Sequence, residues 1–207
     1  KVNPEQTGFY RVNYSKSDWE RLRLAIERQE LSETDRLGLQ NDAYALTKAG
    51  YLPVGQFINL IEAYVGENDA SVWEDLAANL SALDSILWDE TCYTDFKDFA
   101  RGMFRLVGCR VGWDTRDGEG HLDALLRTTV LSALGDYGDD SSIAEAQVRF
   151  AMYLDNPDNV HPDIRSVVFN LAAIGGGKDT YDRIWELQKV SVLEEEKVRL
   201  LRSLTRF

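Results

Sequence analysis

From residue 17 onward the apolar positions recur every three to four residues, the period of helices that bury one face. Ser17 to Glu20 and Ser32 to Asp35 match the Ser-x-x-acid pattern that opens a helix. Gly50 reads as a left-handed stop to the second helix, and Pro53 as a first-turn proline of the third. Val54, Phe57, Ile58, Ile61 and Val65 then follow the i, i+3, i+4, i+7 template up to Gly66. Two more stripes follow, Val72-Leu76-Leu80-Leu83-Leu87 and Tyr93-Phe96-Ala100-Met103-Val107. Gly112 ends the latter, and Asp114 to Gly120 is the most loop-like run. The stretch from His121 to Gly135 is apolar on nearly all sides and predicts an interior helix. Ile143, Phe150 and Leu154 mark another, Pro162 opens one carrying Ile164, Val167, Val168 and Leu171, and Gly175-Gly176-Gly177 stops it. Tyr181, Ile184, Trp185 and Gln188 begin the next, and the last runs from about Leu193 to Leu204.

The opening departs from this period. Tyr10, Val12 and Tyr14 alternate with Phe9, Arg11 and Asn13, which predicts a short strand, with Lys1 to Asn3 pairing back as a hairpin across a turn at Pro4 to Gly8. The expected organisation is therefore a β segment over residues 1–16 followed by a helical domain over 17–207. About nine helices with short links force antiparallel neighbours. Helix pairs recur every 35 to 45 residues, roughly the period of helical solenoids. The fold class expected is all-α, an α-α superhelix of HEAT or armadillo type with a short N-terminal strand; a compact bundle is the alternative.

Composition narrows the functional classes. A net charge of −12 disfavours nucleic acid as a partner, because phosphate binding needs a positive surface. No apolar run approaches the roughly 18 residues of a membrane span, so no membrane partner is expected. The chain opens without Met or a signal peptide and is expected to be a piece of a longer polypeptide. Cys92 and Cys109, with no Cys-x-x-Cys spacing, read as ordinary buried thiols of a reducing compartment.

Catalytic patterns are missing. His121 and His161 are the two histidines, and His121-Leu122-Asp123 lacks the Glu and second His of a zinc peptidase helix. Gly175 to Gly177 lacks the spacing of a phosphate loop, no Gly-x-Ser-x-Gly elbow occurs, and Asp139-Asp140 and Glu194-Glu195-Glu196 read as solvated charge. Arg11, set among aromatics, is the charge most in need of a partner, and Asp35, Arg36 and Asp42 form the nearest charged group.

Several runs resemble one family in order along the chain. Gly8-Phe9-Tyr10-Arg11-Val12-Asn13-Tyr14, then Trp19, is similar to the Gly-aromatic-Tyr-Arg-Val-x-Tyr signature of the zinc aminopeptidases that include aminopeptidase N. Asp35-Arg36-Leu37-Gly38-Leu39-Gln40-Asn41-Asp42-Ala43 resembles the stretch opening the first helical hairpin of their C-terminal domain. Gly112-Trp113-Asp114 and Gly118-Glu119-Gly120-His121-Leu122 resemble the puromycin-sensitive branch, as do Glu194-Glu195-Glu196-Lys197 and Arg199. The resemblance implies a non-catalytic helical domain that covers the active site of a parent enzyme and lines the chamber holding the peptide. It implies structural roles for Gly8, Phe9, Tyr10, Arg11, Tyr14, Asp35, Arg36, Asn41 and Asp42. It places zinc and the catalytic residues elsewhere in the parent and leaves this segment inactive alone, without a cofactor. The implied partners are the catalytic domain of the same polypeptide and peptide substrates, and the implied location is cytoplasmic. The helical domain of that family continues past Phe207, so a truncated C-terminal end is expected to self-associate through Leu200, Leu201, Leu204 and Phe207. The competing reading is a standalone protein-binding scaffold.

Overall fold

The computed structural model describes all 207 residues, and its regular structure is entirely helical. The α-helices are α1 (Lys16–Glu27), α2 (Glu33–Lys48), α3 (Val54–Ile61), α4 (Ala70–Leu87) and α5 (Tyr93–Val111), then α6 (His121–Asp136), α7 (Asp140–Asp155), α8 (Arg165–Ile174), α9 (Lys178–Val190) and α10 (Glu194–Ser203). Short 3-10 turns occupy Pro4–Gln6, Glu62–Gly66, Pro157–Asn159, Pro162–Ile164 and Leu204–Arg206. The chain divides into two compact units, Lys1–Tyr93 and Thr94–Phe207.

The expected N-terminal strand does not form. Residues 9–15 run without regular structure, and Lys1 to Asn3 does not pair back as a strand. The turn before them holds Asn3, Glu5 and Gln6 at positive φ, which rules out a ladder there. No second strand is present, so side chains of α2 receive this segment instead.

Start and stop signals act as expected with three displacements. Pro53 is the N-cap of α3 and not in its first turn, and α3 ends at Ile61, the run to Gly66 continuing as a 3-10 turn with Val65 exposed. Ser32 caps α2, its Oγ accepting from Asp35 N–H, and Gly50 follows the helix at φ 77°. The cap of α1 is Ser15, not Ser17; Ser15 has extended backbone and accepts from Asp18 N–H, so Ser15-x-x-Asp18 is the signal that operates.

In the first unit, Trp19, Leu22 and Ile26 of α1 turn inward toward α3 and the turn that follows it. Phe57, Leu60 and Ile61 of α3 and Val72, Trp73, Leu76 and Leu80 of α4 complete the core. Each such side chain contributes about 1.5–3 kcal/mol on full burial. In the second unit, Phe150, Tyr153, Val168, Phe169, Ile184 and Leu200 lie in one cluster. Here the face of α7 is Ala146, Phe150 and Tyr153, while Leu154 is exposed. The interior helix expected from His121 is interior only in its second half, since Leu122 and Leu125 are exposed. Cys92 and Cys109 are free and exposed, not buried.

One buried ion pair organises the first unit. Arg36 Nε donates to Glu67 Oε2 at 2.5 Å and Nη2 to Oε1 at 2.9 Å, with both residues buried. The third guanidinium nitrogen donates to Leu31 O. Glu67 Oε1 also accepts from the backbone N–H groups of Asn68 and Asp69 at 2.8 and 2.9 Å. Tyr64 Oη donates to Arg36 O, and Trp73 Nε1 donates to Glu67 O. Burial pushes the Glu67 carboxyl up, but its hydrogen bonds from Arg36, Asp69 and Asn68 outweigh that and hold it below the ordinary value.

Removing one partner leaves a buried charge alone, so Arg36→Ala should cost about 3–5 kcal/mol, read from urea unfolding. Because the folded carboxyl of Glu67 is depressed, the contribution of the pair is present above its unfolded value of 4.5 and lost as pH falls through the lower folded value. Glu67→Gln should flatten that part of the stability-against-pH curve; an unchanged acid limb would exclude Glu67 as its source.

Candidate functional site

Part of the N-terminal resemblance meets on one face of α2, where Asp35, Asn41 and Asp42 receive the opening segment. Asn3, buried and left-handed, clasps the opening turn: its Nδ2 donates to Gly8 O at 2.9 Å, and Gly8 N–H donates to its Oδ1 at 2.6 Å. An Asx side chain tolerates this backbone and can bond locally, and the Asn-Pro dipeptide was the available signal. Gln6 lies against Gly38 of α2, where a Cβ would fall 1.6 Å from Gln6 Nε2. Glycine at 38 is thus what allows the turn to sit down on the helix.

Asp35 and Asp42 receive the segment. Asp35 Oδ1 accepts from Lys1 Nζ at 2.5 Å and from Glu5 N–H at 2.8 Å. Asp42 Oδ1 accepts from Arg11 Nη1 at 3.1 Å and its Oδ2 from Val12 N–H at 3.2 Å. Arg11 also donates to Asn41 Oδ1. Of the two acids expected for Arg11, Asp42 takes it and Asp35 is occupied by Lys1. Arg36 turns away toward Glu67 and does not join. The Arg11 side chain is 53% exposed against 4% for Asp42.

Asn41 extends the network. Its Nδ2 donates to Asp75 Oδ1 at 3.2 Å, and Asn79 Nδ2 donates to Asp75 Oδ2 at 3.1 Å. Burial raises the Asp75 carboxyl despite these two bonds. Tyr14 Oη accepts from Val2 N–H at 3.0 Å and donates to Val2 O, its ring meets Trp19 edge-on at 5.0 Å, and burial pushes the phenol up. Phe9 and Tyr10 project outward and are exposed, beside a shallow cleft of about 350 Å³ bordered by Gln6, Gly8 and Arg11. Sequence reading missed Lys1, Asn3, Glu67 and Asp75, whose partners lie 30 or more residues away or, for Asn3, inside an unrecognised turn.

These contacts form a clamp on the N-terminal segment. It has no histidine and no nucleophile paired with a base. No three His, Cys, Asp or Glu side chains in the chain converge to hold a metal, so the residues present do not fit zinc. His121 is exposed at the start of α6, and His161 caps the 3-10 turn at Pro162, accepting from Asp163 N–H at 3.4 Å. No helix is long and apolar enough to cross a membrane.

The second resemblance run has the same character. Arg149 donates to both oxygens of Asp114 at 2.7 and 3.0 Å and lies over the Trp113 ring, and buried Arg127 reaches Glu119 together with the carbonyls of Gly112 and Val111. These contacts tie the 112–120 loop to α6 and α7.

Fold and sites together define an all-helical domain built on polar clamps. The whole chain, residues 1–207, matches the ERAP1-like C-terminal domain, and it belongs to that family. Its relatives are aminopeptidases. It is 35% identical over 212 residues to Aminopeptidase M1-A of Oryza sativa subsp. japonica and 36% over 211 residues to Aminopeptidase M1 of Arabidopsis thaliana, with 99% of the chain and 24% of each relative covered. It is 28% identical over 197 residues to Puromycin-sensitive aminopeptidase of Caenorhabditis elegans, with 94% of the chain and 21% of the relative covered. The chain thus spans about a quarter of the length of these relatives.

Arg11→Ala should cost about 1 kcal/mol or less, since the guanidinium is half in solvent and Asp42 keeps the Val12 N–H. Asp42→Ala removes both bonds and should cost about 2 kcal/mol. Equal losses in urea unfolding would show that the Arg11 pair, not the backbone bond, holds the segment.

Proposed function

We propose that this chain is the non-catalytic helical domain of a zinc metallo-aminopeptidase. In this reading its helical hairpins continue into an α-α superhelix that covers the active site of the parent and lines the chamber holding the peptide body while N-terminal residues are removed. The match to the ERAP1-like C-terminal domain over every residue of the chain carries the reading. It is supported by relatives that are aminopeptidases and about four times as long. Zinc and the groups that activate water belong, in this reading, to other parts of the polypeptide.

The partners are then the catalytic domain of the same polypeptide and the peptide substrate, with no nucleic acid and no membrane. Of the four residues expected to be uncovered at the C-terminal end, Leu200 is buried in the core cluster and Leu204 packs against it, because α10 folds onto α8. Leu201 and Phe207, with Val192 and Leu193, are exposed and supply an apolar surface for such contact, or for self-association when it is left uncovered. A cytoplasmic parent suits the exposed thiols of Cys92 and Cys109, which a reducing compartment keeps free. A standalone scaffold is the competing reading, and the aminopeptidase relatives weigh against it.

The purified chain should release no chromophore from aminoacyl p-nitroanilides, with or without added zinc, while the longer polypeptide should do so in a chelator-sensitive way. Deleting the segment from that polypeptide should lower turnover of peptides. Zinc-dependent turnover by the isolated chain, lost in His121→Ala, would overturn the assignment; full peptide turnover after deletion would favour the scaffold.

A further inference from the structure

The helix α9 is attached differently from its neighbours in sequence. Of its residues only Ile184 is buried, whereas α8 buries six, Val167, Val168, Phe169, Leu171, Ala172 and Ala173. On the other side, α10 buries Glu196, Leu200 and Ser203. It is pinned to α7 by Tyr153 Oη donating to Glu196 Oε1 at 2.7 Å, with Arg165 3.7 Å from the same carboxylate. The ion pairs of α9, Lys178–Asp182 and Lys189–Glu186, run within the helix, and beyond Ile184 it is held by apolar contacts alone, Leu187 partly buried against the same cluster and the Tyr181 ring edge-on to Phe207 at 5.3 Å.

Both ends of α9 are built to bend. The three preceding glycines are not equivalent. A Cβ on Gly175 would fall 2.3 Å from Ile143 Cγ2, and one on Gly176 would fall 2.6 Å from Ala172 O, so packing demands glycine at both. A Cβ on Gly177 would meet nothing within 4 Å, and its backbone is extended at φ −120°. What glycine supplies at 177 is conformational freedom alone. At the other end Ser191 is extended, and Val192 and Leu193 are 89% and 68% exposed.

A cleft of about 210 Å³ lies between α9 and the helices beside it. Phe150, Ala151 and Leu154 of α7 and Ala172 of α8 give it an apolar floor, and Thr180 and Arg183 of α9 form its rim. We propose that α9 is a hinged lid: it swings as one body about Gly177 and the 191–193 link, withdraws Ile184 and Leu187, parts Tyr181 from Phe207, and opens this floor while α8 and α10 remain folded. Segments with few buried apolar contacts are those that open below the global unfolding free energy. This inference stands apart from the proposed function and holds or fails for the chain by itself.

Native-state hydrogen exchange on the 207-residue chain tests it. Amides of 181–190 should exchange about tenfold or more faster than those of 168–174 and 197–203, with a weaker dependence on denaturant. Ile184→Ala should speed α9 alone. Gly177→Ala fits without a clash and should slow α9 about two- to fivefold by restricting the open state, leaving α8 and α10 unchanged. Exchange of all three helices in one cooperative step, or equal acceleration of all three by Ile184→Ala, would overturn the proposal.

Discussion

The bidentate contact between Arg36 and Glu67 is the constraint from which the first unit follows. Two opposite charges are buried, and every nitrogen and both oxygens have partners. Fixing Glu67 fixes the link before α4, because Asp69, two residues on, caps that helix through Val72 N–H. The cap sets the rotation of α4, so that Gln40 of α2 donates to Val72 O and Asn41 reaches Asp75. Asn41 and Asp42 are then oriented to take Arg11 and Val12 from the N-terminal segment. Breaking the first contact should therefore loosen the last, although no side chain touches both.

The second unit uses the same device at different places. Buried Arg127 closes the end of α5 by binding the Val111 and Gly112 carbonyls, and Glu119 balances its charge. Asp139 and Glu196, expected as solvated charge, are instead buried and paired. Asp139 caps α7 through Ser142 N–H; burial opposes its ionised form, but bonds from Ser141, Arg105 and Ser142 hold its carboxyl far below the usual range. Tyr153, its phenol pushed up to about 12 by burial and by the Glu196 carboxylate, is a donor at any physiological pH and so keeps α10 attached. Most other ion pairs are exposed contacts three or four residues apart on one helix and contribute little.

Helix positions were legible because burial of one face writes a period into the sequence, as Val72, Leu76, Leu80 and Leu83 show. The strand was misread because alternation reports an extended chain, not a ladder. Tyr14 turns inward to Val2 and Trp19 while Phe9 is fully exposed, and hydrogen bonds to Asp35 and Asp42 replace a neighbouring strand. Partners of the clamps were not legible, since nothing local in Glu67 distinguishes it from a surface acid. Where residues had been grouped by resemblance, as in Asp35 to Asp42, the grouping located the clamp but not its wiring: Arg36 faces one way and Asp42 the other.

Polar clamps also decide where the chain can move. A buried, fully paired carboxylate such as Glu67 or Glu196 ties together elements far apart in sequence, and opening any of them exposes an unpaired charge. An element held only by apolar burial opens at the cost of that burial alone. The helix α9 is joined to its unit by buried Ile184, by partly buried Leu187 and by the Tyr181 ring edge-on to Phe207, with no buried polar partner, between neighbours that each bury several residues. Its Tyr181 and Trp185 are about 40% exposed, so the covered parts of both rings add to the apolar area uncovered when it moves. The uneven placement of buried charge, more than helix length or propensity, thus sets the order in which parts of the second unit let go.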